Sequence, residues 1–159
     1  MRLPWPGVAG GVAAVALGAA GLIAAAVPQS SGVGAAAPGA VTVADAYVRA
    51  PIPPVRQAAA YFTVYNTTDR ADRITGVQTG AGATAQLHSA AMQPVSAAVV
   101  PAHGKLVLHT GGMHVMIGGL FGRLMPGQDV NIEVDFARAG AIDVVAKVIP
   151  YGAPARGGR

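Results

Sequence analysis

The sequence predicts an all-β domain, a β-sandwich or small Greek-key barrel, and three observations carry that prediction. Past Val41 the apolar residues recur with the period of two that sends alternate side chains to opposite faces of a strand. The runs that show it are short and rich in β-branched and aromatic residues. Gly, Pro, Asn and Asp divide them at intervals of about 8–12 residues, the spacing of sandwiches and small barrels. No window of about 11 residues in this stretch sustains a helical apolar period with caps at both ends.

Residues 1–27 concern targeting rather than fold. Arg2 is the only charge ahead of the run Gly7–Val27, GVAGGVAAVALGAAGLIAAAV. Its twenty-one uncharged residues, at about 1.5 Å each in a helix, just reach across a hydrocarbon core of roughly 30 Å. The Ala and Gly content makes the span weakly apolar, and both a cleaved signal peptide and a retained membrane anchor fit it. Ala24, Ala25 and Ala26 offer the small residues of a cleavage site, and the lone basic residue on the near side predicts that everything downstream is exported. No cysteine follows the run, so it offers no attachment point for a diacyl lipid. Residues 28–40, PQSSGVGAAAPGA, are small, polar or helix-breaking and read as a flexible linker.

The domain itself is expected over residues 41–149. Strands are predicted at Tyr61–Asn66, Arg73–Gln78, Ala85–His88, Lys105–His109, His114–Ile117, Asn131–Phe136 and Ala141–Ile149. Asn131–Phe136, NIEVDF, alternates without a fault. Ile132, Val134 and Phe136 face one way and Asn131, Glu133 and Asp135 the other, as in a half-buried antiparallel strand. Turn chemistry separates the runs at Pro53-Pro54, Asn66–Asp69, Pro101–Gly104, Gly111-Gly112, Met125–Gln128 and Arg138–Gly140. Tyr61, Phe62 and Phe136 are expected in the core. Residues 150–159 are expected to form a disordered tail, and there is no internal repeat.

Composition removes several function classes. Charged residues make up 11% of the 159, less than half the usual share of about 25%, which argues against a coiled coil or an acidic disordered tail. The net charge is +4, but the basic residues stand singly, with no Lys/Arg run and no interleaved aromatics, so nucleic-acid binding has no support. The absence of cysteine excludes disulfide scaffolds, zinc ribbons, thiol catalysis and covalent haem attachment. No nucleophile, base and orienting acid stand in an interpretable pattern, and no enzymatic activity is expected.

The soft and nitrogen ligands are concentrated. All four histidines (His88, His103, His109, His114) and Met92, Met113 and Met116 fall between positions 88 and 116. His114 and Met116 are two apart on a predicted strand and leave the same face, with Val115 and Ile117 on the other. His88 ends a strand, and Met92 follows across a turn that can return its thioether toward the imidazole. Two imidazoles with two thioethers form an uncharged, soft donor set that favours Cu(I) over Zn²⁺, Mg²⁺ and Ca²⁺. Outside the cytoplasm, where thiolates tend to be oxidised, methionine serves copper without forming disulfides. His88, Met92, His114 and Met116 are therefore the expected metal ligands. His103 and His109 are expected to be exposed bystanders. Met113 is a possible substitute thioether, and Met125 is not expected at the site.

From Val41 onward the chain resembles the periplasmic copper chaperones called PCu(A)C, whose motif is written H(M)X10MX21HXM. VTVADAYVRAPIPP resembles the first strand and Pro-rich turn of that family, and AAAYFTVYNTTDRADRITGV its next segment. LH at 87–88, MQPV at 92–95, VPAHG at 100–104, GGMHVMIGGL at 111–120 and LMPGQDVNIEVDFARAG downstream complete a likeness over roughly 110 residues. Met92, twenty-one residues and then His114-x-Met116 keep the second half of the motif. The first half departs from it. Three residues separate His88 from Met92 where the family has ten, and Ser89 stands where the family has a methionine.

The resemblance implies a cupredoxin-like β-barrel that binds Cu(I) and delivers it to the copper centre of cytochrome c oxidase or to a thioredoxin-fold copper protein serving it. Copper buffering or storage would use the same ligands, and a metal-free secreted β-sandwich interaction module is a further alternative. A blue-copper electron carrier needs a cysteine thiolate, which this chain lacks.

Overall fold

The computed structural model describes residues 40–154, and over them the chain is built from nine strands and no helix. The segment 1–27, nearly all of the linker 28–40 and residues 155–159 lie outside the described residues. The strands are β1 (Val41–Arg49), β2 (Gln57–Asn66), β3 (Asp72–Thr79), β4 (Gly82–His88), β5 (Ala98–Val100), β6 (Gly104–Val107), β7 (His114–Leu120), β8 (Asp129–Phe136) and β9 (Gly140–Ile149). They form one sheet in the order β4-β7-β2-β1-β9-β8-β3-β5, with β6 also on β2, curled into a half-barrel. All pairings are antiparallel except β1 with β9, where Tyr47, Val48 and Arg49 run parallel to Lys147, Val148 and Ile149.

Period-two alternation decides which side chains fill the curl. Phe62, Ile74, Ile117 and Ile132 are fully buried with Val48, Val64, Val115 and Val134, and each stands on the concave face of its strand. Ile132, Val134 and Phe136 are buried as their pattern demanded. Buried polar groups at the strand ends are satisfied. The Asp72 carboxylate accepts the backbone N–H groups of Arg73, Arg138 and Ala139 at 2.8, 3.0 and 2.9 Å, which fastens the β8–β9 turn to the start of β3. Asn66 caps its own turn, its Oδ1 accepting from Thr68 N–H at 3.0 Å while its Nδ2 donates to the Arg70 carbonyl at 2.8 Å.

β6 and β7 lie end to end along one edge of β2. β6 pairs with Thr63–Asn66 and β7 with Gln57–Ala60, so residues 108–113 loop out beside Tyr61 and Phe62. Leu108 turns inward, only 2% exposed, with its N–H on the Phe62 carbonyl at 2.9 Å, and it ends the strand that was expected to run to His109. His109 instead opens a turn closed by Gly112 N–H on the His109 carbonyl at 2.9 Å. Gly111, at φ 83°, occupies the third position, where a type II turn demands the left-handed region.

Two further features were not expected. β5 has three residues, too few for alternation to register, and exists because Asp72–Ile74 pair with it. The expected tail 150–159 begins with an ordered turn: Arg49 donates to the carbonyls of Tyr151 and Ala153, the latter at 2.9 Å.

Candidate metal centre

The metal-ligand candidates gather on the convex face of β4, β7 and β2, opposite the core. Across the β4–β7 pair His88 stands directly opposite His114, and Gln86 opposite Met116. The two imidazole centroids are 5.7 Å apart with the planes tilted by 59°. Val115 and Ile117 point into the core and leave His114 and Met116 on the outer face, as alternation requires.

His114 is 6% exposed, and its ring is oriented by the loop before it: Nδ1 is 3.0 Å from the Gly112 carbonyl. A carbonyl only accepts, so Nδ1 carries the proton and Nε2 is the free donor. His88 differs, because its Nδ1 is buried and has no hydrogen-bond partner. A buried imidazole nitrogen without a partner costs free energy that a metal bond would recover.

Met92 reaches the same place through the short turn. Met92 N–H bonds the Ser89 carbonyl at 3.0 Å, Ser89 N–H bonds Gln93 at 2.8 Å, and Val95 N–H returns to Leu87 at 2.9 Å. This tight reversal puts Met92 in the left-handed region at φ 60° and leaves it 54% exposed. Met92, His114 and Met116 line one open cavity of about 570 Å³, together with Tyr61, Thr110 and Arg49. No carboxylate lines it. His114, with His88 across the strand pair, and two thioethers form a neutral donor set beside a hollow without carboxylates, which suits a soft monovalent cation.

The remaining candidates lie elsewhere. Met113 packs against the main core, on the face opposite His114. His103 is exposed at φ 48° in the turn before β6, beside Tyr65 and Lys105. His109 is exposed, with its Nδ1 3.1 Å from the Thr110 carbonyl. Met125 is exposed in the turn before β8.

The sequence reading missed what walls the cavity. Tyr61 is buried, but in a second small cluster with Tyr47 and Ile149 on the convex face, not in the main core. Adjacent strand residues point oppositely, so Tyr61 and Phe62 cannot share one core. The rings form a row across the strands. Tyr47 stacks on Tyr61 with centroids 5.0 Å apart, and Tyr61 lies 6.2 Å from His114. Burial raises the Tyr61 phenol above its usual 10.0, partly opposed by its hydrogen bond with Thr110. Arg49 ties the wall together: besides its bonds to the 151–153 turn, its Nε donates to Thr110 Oγ1 at 3.4 Å. No local signal marks Arg49, whose partners lie 61, 102 and 104 residues away.

Residues 41–148 match the family described as "Putative lipoprotein LpqE-like". The chain belongs to the LpqE-like family. This LpqE-like fold is also that of PCuAC domains, so the resemblance read from the sequence holds. The copper-bound PCuAC domain from PmoF2 superimposes with a TM-score of 0.65 at 27% identity, covering 72% of this chain and 96% of that one. CuI-DR1885 from Deinococcus radiodurans gives a TM-score of 0.60 at 31% identity, covering 72% and 80%. The apo PCuAC domain from PmoF1 shares the fold at 22% identity, with a TM-score of 0.65. No curated protein matches the LpqE-like chain.

Proposed function

We propose that this chain is a copper chaperone that binds one Cu(I) through His88, Met92, His114 and Met116 and passes it to a copper-accepting protein. The observation that carries the reading is the His88 Nδ1, buried without a partner and directly across the strand pair from His114, which itself lines a carboxylate-free hollow together with two thioethers. The copper-bound relatives PmoF2 and CuI-DR1885 support the choice of metal. Transfer proceeds by ligand exchange. As a donor of the acceptor approaches, an exposed thioether leaves, and the metal changes hosts without a change of oxidation state and without release as free ion. Met92, the most exposed donor, is the one to be displaced first.

The recipient proposed is the dinuclear copper centre of cytochrome c oxidase or a thioredoxin-fold copper protein that serves it. The export expected from residues 1–27 agrees with a family described as lipoproteins, although the 159 residues contain no cysteine to carry a lipid.

Competition with a Cu(I) chelator tests the site. We expect one Cu(I) per chain, unmoved by excess Zn²⁺. His114→Ala and Met116→Ala should each weaken binding by at least about tenfold, or 1.4 kcal/mol, while His103→Ala and His109→Ala change it little. Equal losses at all four positions, or stoichiometric displacement by zinc, would refute the assignment.

A further inference from the structure

The cavity mouth adjoins a second depression, and the two share Pro51 and Val55 as a common wall. Of the ten large hydrophobic side chains exposed among the described residues, five lie along these two depressions: Ile52, Val55, Met92, Phe121 and Tyr151. Phe121, 70% exposed, is the most open of all. Exposed apolar side chains gathered at one place mark an interaction surface.

The charge around this patch has one sign. Arg49, Arg56 and Arg123 line the two depressions, and none of the chain's seven acidic residues does. Arg49 and Arg56 are held by backbone carbonyls, Tyr151 and Ala153 for the first and Leu120 for the second, and so keep their full charge without a counter-anion. The described residues hold eight basic and seven acidic side chains, so removing these three arginines leaves five basic against seven acidic. The domain is therefore electrically polar, with its positive pole at the proposed metal site. Cu(I) would add to that pole, because thioethers and neutral imidazoles leave its charge uncompensated.

We propose that this face docks the copper-accepting protein, which presents to it an acidic surface with an apolar centre, and that the face favours the acceptor more when loaded than when empty. The proposal rests on the metal reading above. Ile52, Val55 and Phe121 form the apolar contact, and Arg56 and Arg123 steer the encounter. Met92 belongs both to the patch and to the ligand set, so docking brings the acceptor's donors onto the thioether that must leave.

The test is copper transfer from the full chain to the apo dinuclear copper domain of the same organism's cytochrome c oxidase, followed at low and high ionic strength. Arg123→Glu and the double variant Arg56→Glu/Arg123→Glu are compared with the wild type, as is Phe121→Ala. The Cu(I) affinity of each is measured separately. We expect unchanged Cu(I) affinity and a wild-type transfer rate that falls steeply as salt rises. Arg123→Glu should lower the low-salt rate by about tenfold, and the loaded chain should bind the acceptor more tightly than the empty one. Phe121→Ala should slow transfer at both salt concentrations.

Transfer insensitive to salt and to all three variants overturns the docking face, as does an absence of transfer from a chain that does bind Cu(I). Binding of the loaded chain to phosphatidylglycerol vesicles in place of the acceptor assigns the face to a membrane and equally overturns it. Loss of Cu(I) binding in the wild type refutes the metal reading instead, so the two failures are distinguishable.

Discussion

Met92 holds a backbone conformation that methionine disfavours. At φ 60° a side chain with a Cβ costs about 1–2 kcal/mol relative to its ordinary regions, and glycine escapes that cost. An exposed thioether in a strained turn contributes nothing to the core, which makes ligation the economical explanation for its presence. Met92→Gly should therefore separate stability from binding. The thermal midpoint should stay level or rise by the equivalent of about 1 kcal/mol, while Cu(I) affinity falls at least about tenfold. Unchanged affinity with a raised midpoint would assign Met92 to the turn alone. His88 and His114 show the complementary device. One nitrogen of His114 is occupied by the Gly112 carbonyl, and one nitrogen of His88 is buried with nothing to bond. The hydrogen bond sets the orientation of the His114 ring, and the unpartnered nitrogen of His88 is left open to a ligand.

At the scale of elements, the excursion of residues 108–113 between β6 and β7 governs the site. It delivers His114 as the first residue of β7, sets the carbonyl of Gly112 against its ring and lays Thr110 over Tyr61. A Cβ at Gly112 would fall 2.5 Å from Nε2 of His109, so the exposed imidazole of His109 folds over the turn and would have to swing aside for any larger residue. Beneath it Tyr61 is 6% exposed, and burial raises its phenol above 10.0. An acid harder to ionise when folded stabilises the fold fully below the unfolded value. Above pH 10.0 the unfolded chain loses the proton first, and that stability fades until the folded phenol ionises too. Denaturation monitored from pH 8 to about 11.5 should show stability declining above pH 10, with a shallower decline in Tyr61→Phe. Identical slopes in the two proteins would show that Tyr61 ionises alike in both states.

Over the whole molecule, the curled sheet separates two tasks by face. The concave face holds the apolar core and the convex face carries the candidate ligands, so the side chains that stabilise the fold and those proposed to bind the metal are different ones. Ile132 is fully buried in the core. Ile132→Ala should cost about 2–5 kcal/mol in chemical denaturation, yet the folded fraction should still take one Cu(I) per chain. A loss of stoichiometry in the folded variant would mean that core packing and the site are coupled through the sheet.

The strand periods, the turns and the clustering of His and Met were legible in the linear sequence because each is a local property. Alternation in NIEVDF and HVMI sends specific side chains to specific faces wherever the strand is placed, and Gly111-Gly112 or Asn66–Asp69 break the run by their own backbone and side-chain chemistry. Met113, the last residue of the loop before β7, packs against the core instead of serving as a substitute thioether at the site, a placement that strand alternation does not reach. Tertiary structure alone decided which strands are neighbours, since pairing energy comes from partners far along the chain. Thus β5 exists only through β3, β6 and β7 line up on one edge of β2, and the imidazole of His88 meets that of His114 through one register of β4 on β7. The C-terminal turn is part of the cavity wall because Arg49, on the first strand, reaches carbonyls more than a hundred residues later. No window of sequence contains both ends of such a contact, and so no period or spacing announces it.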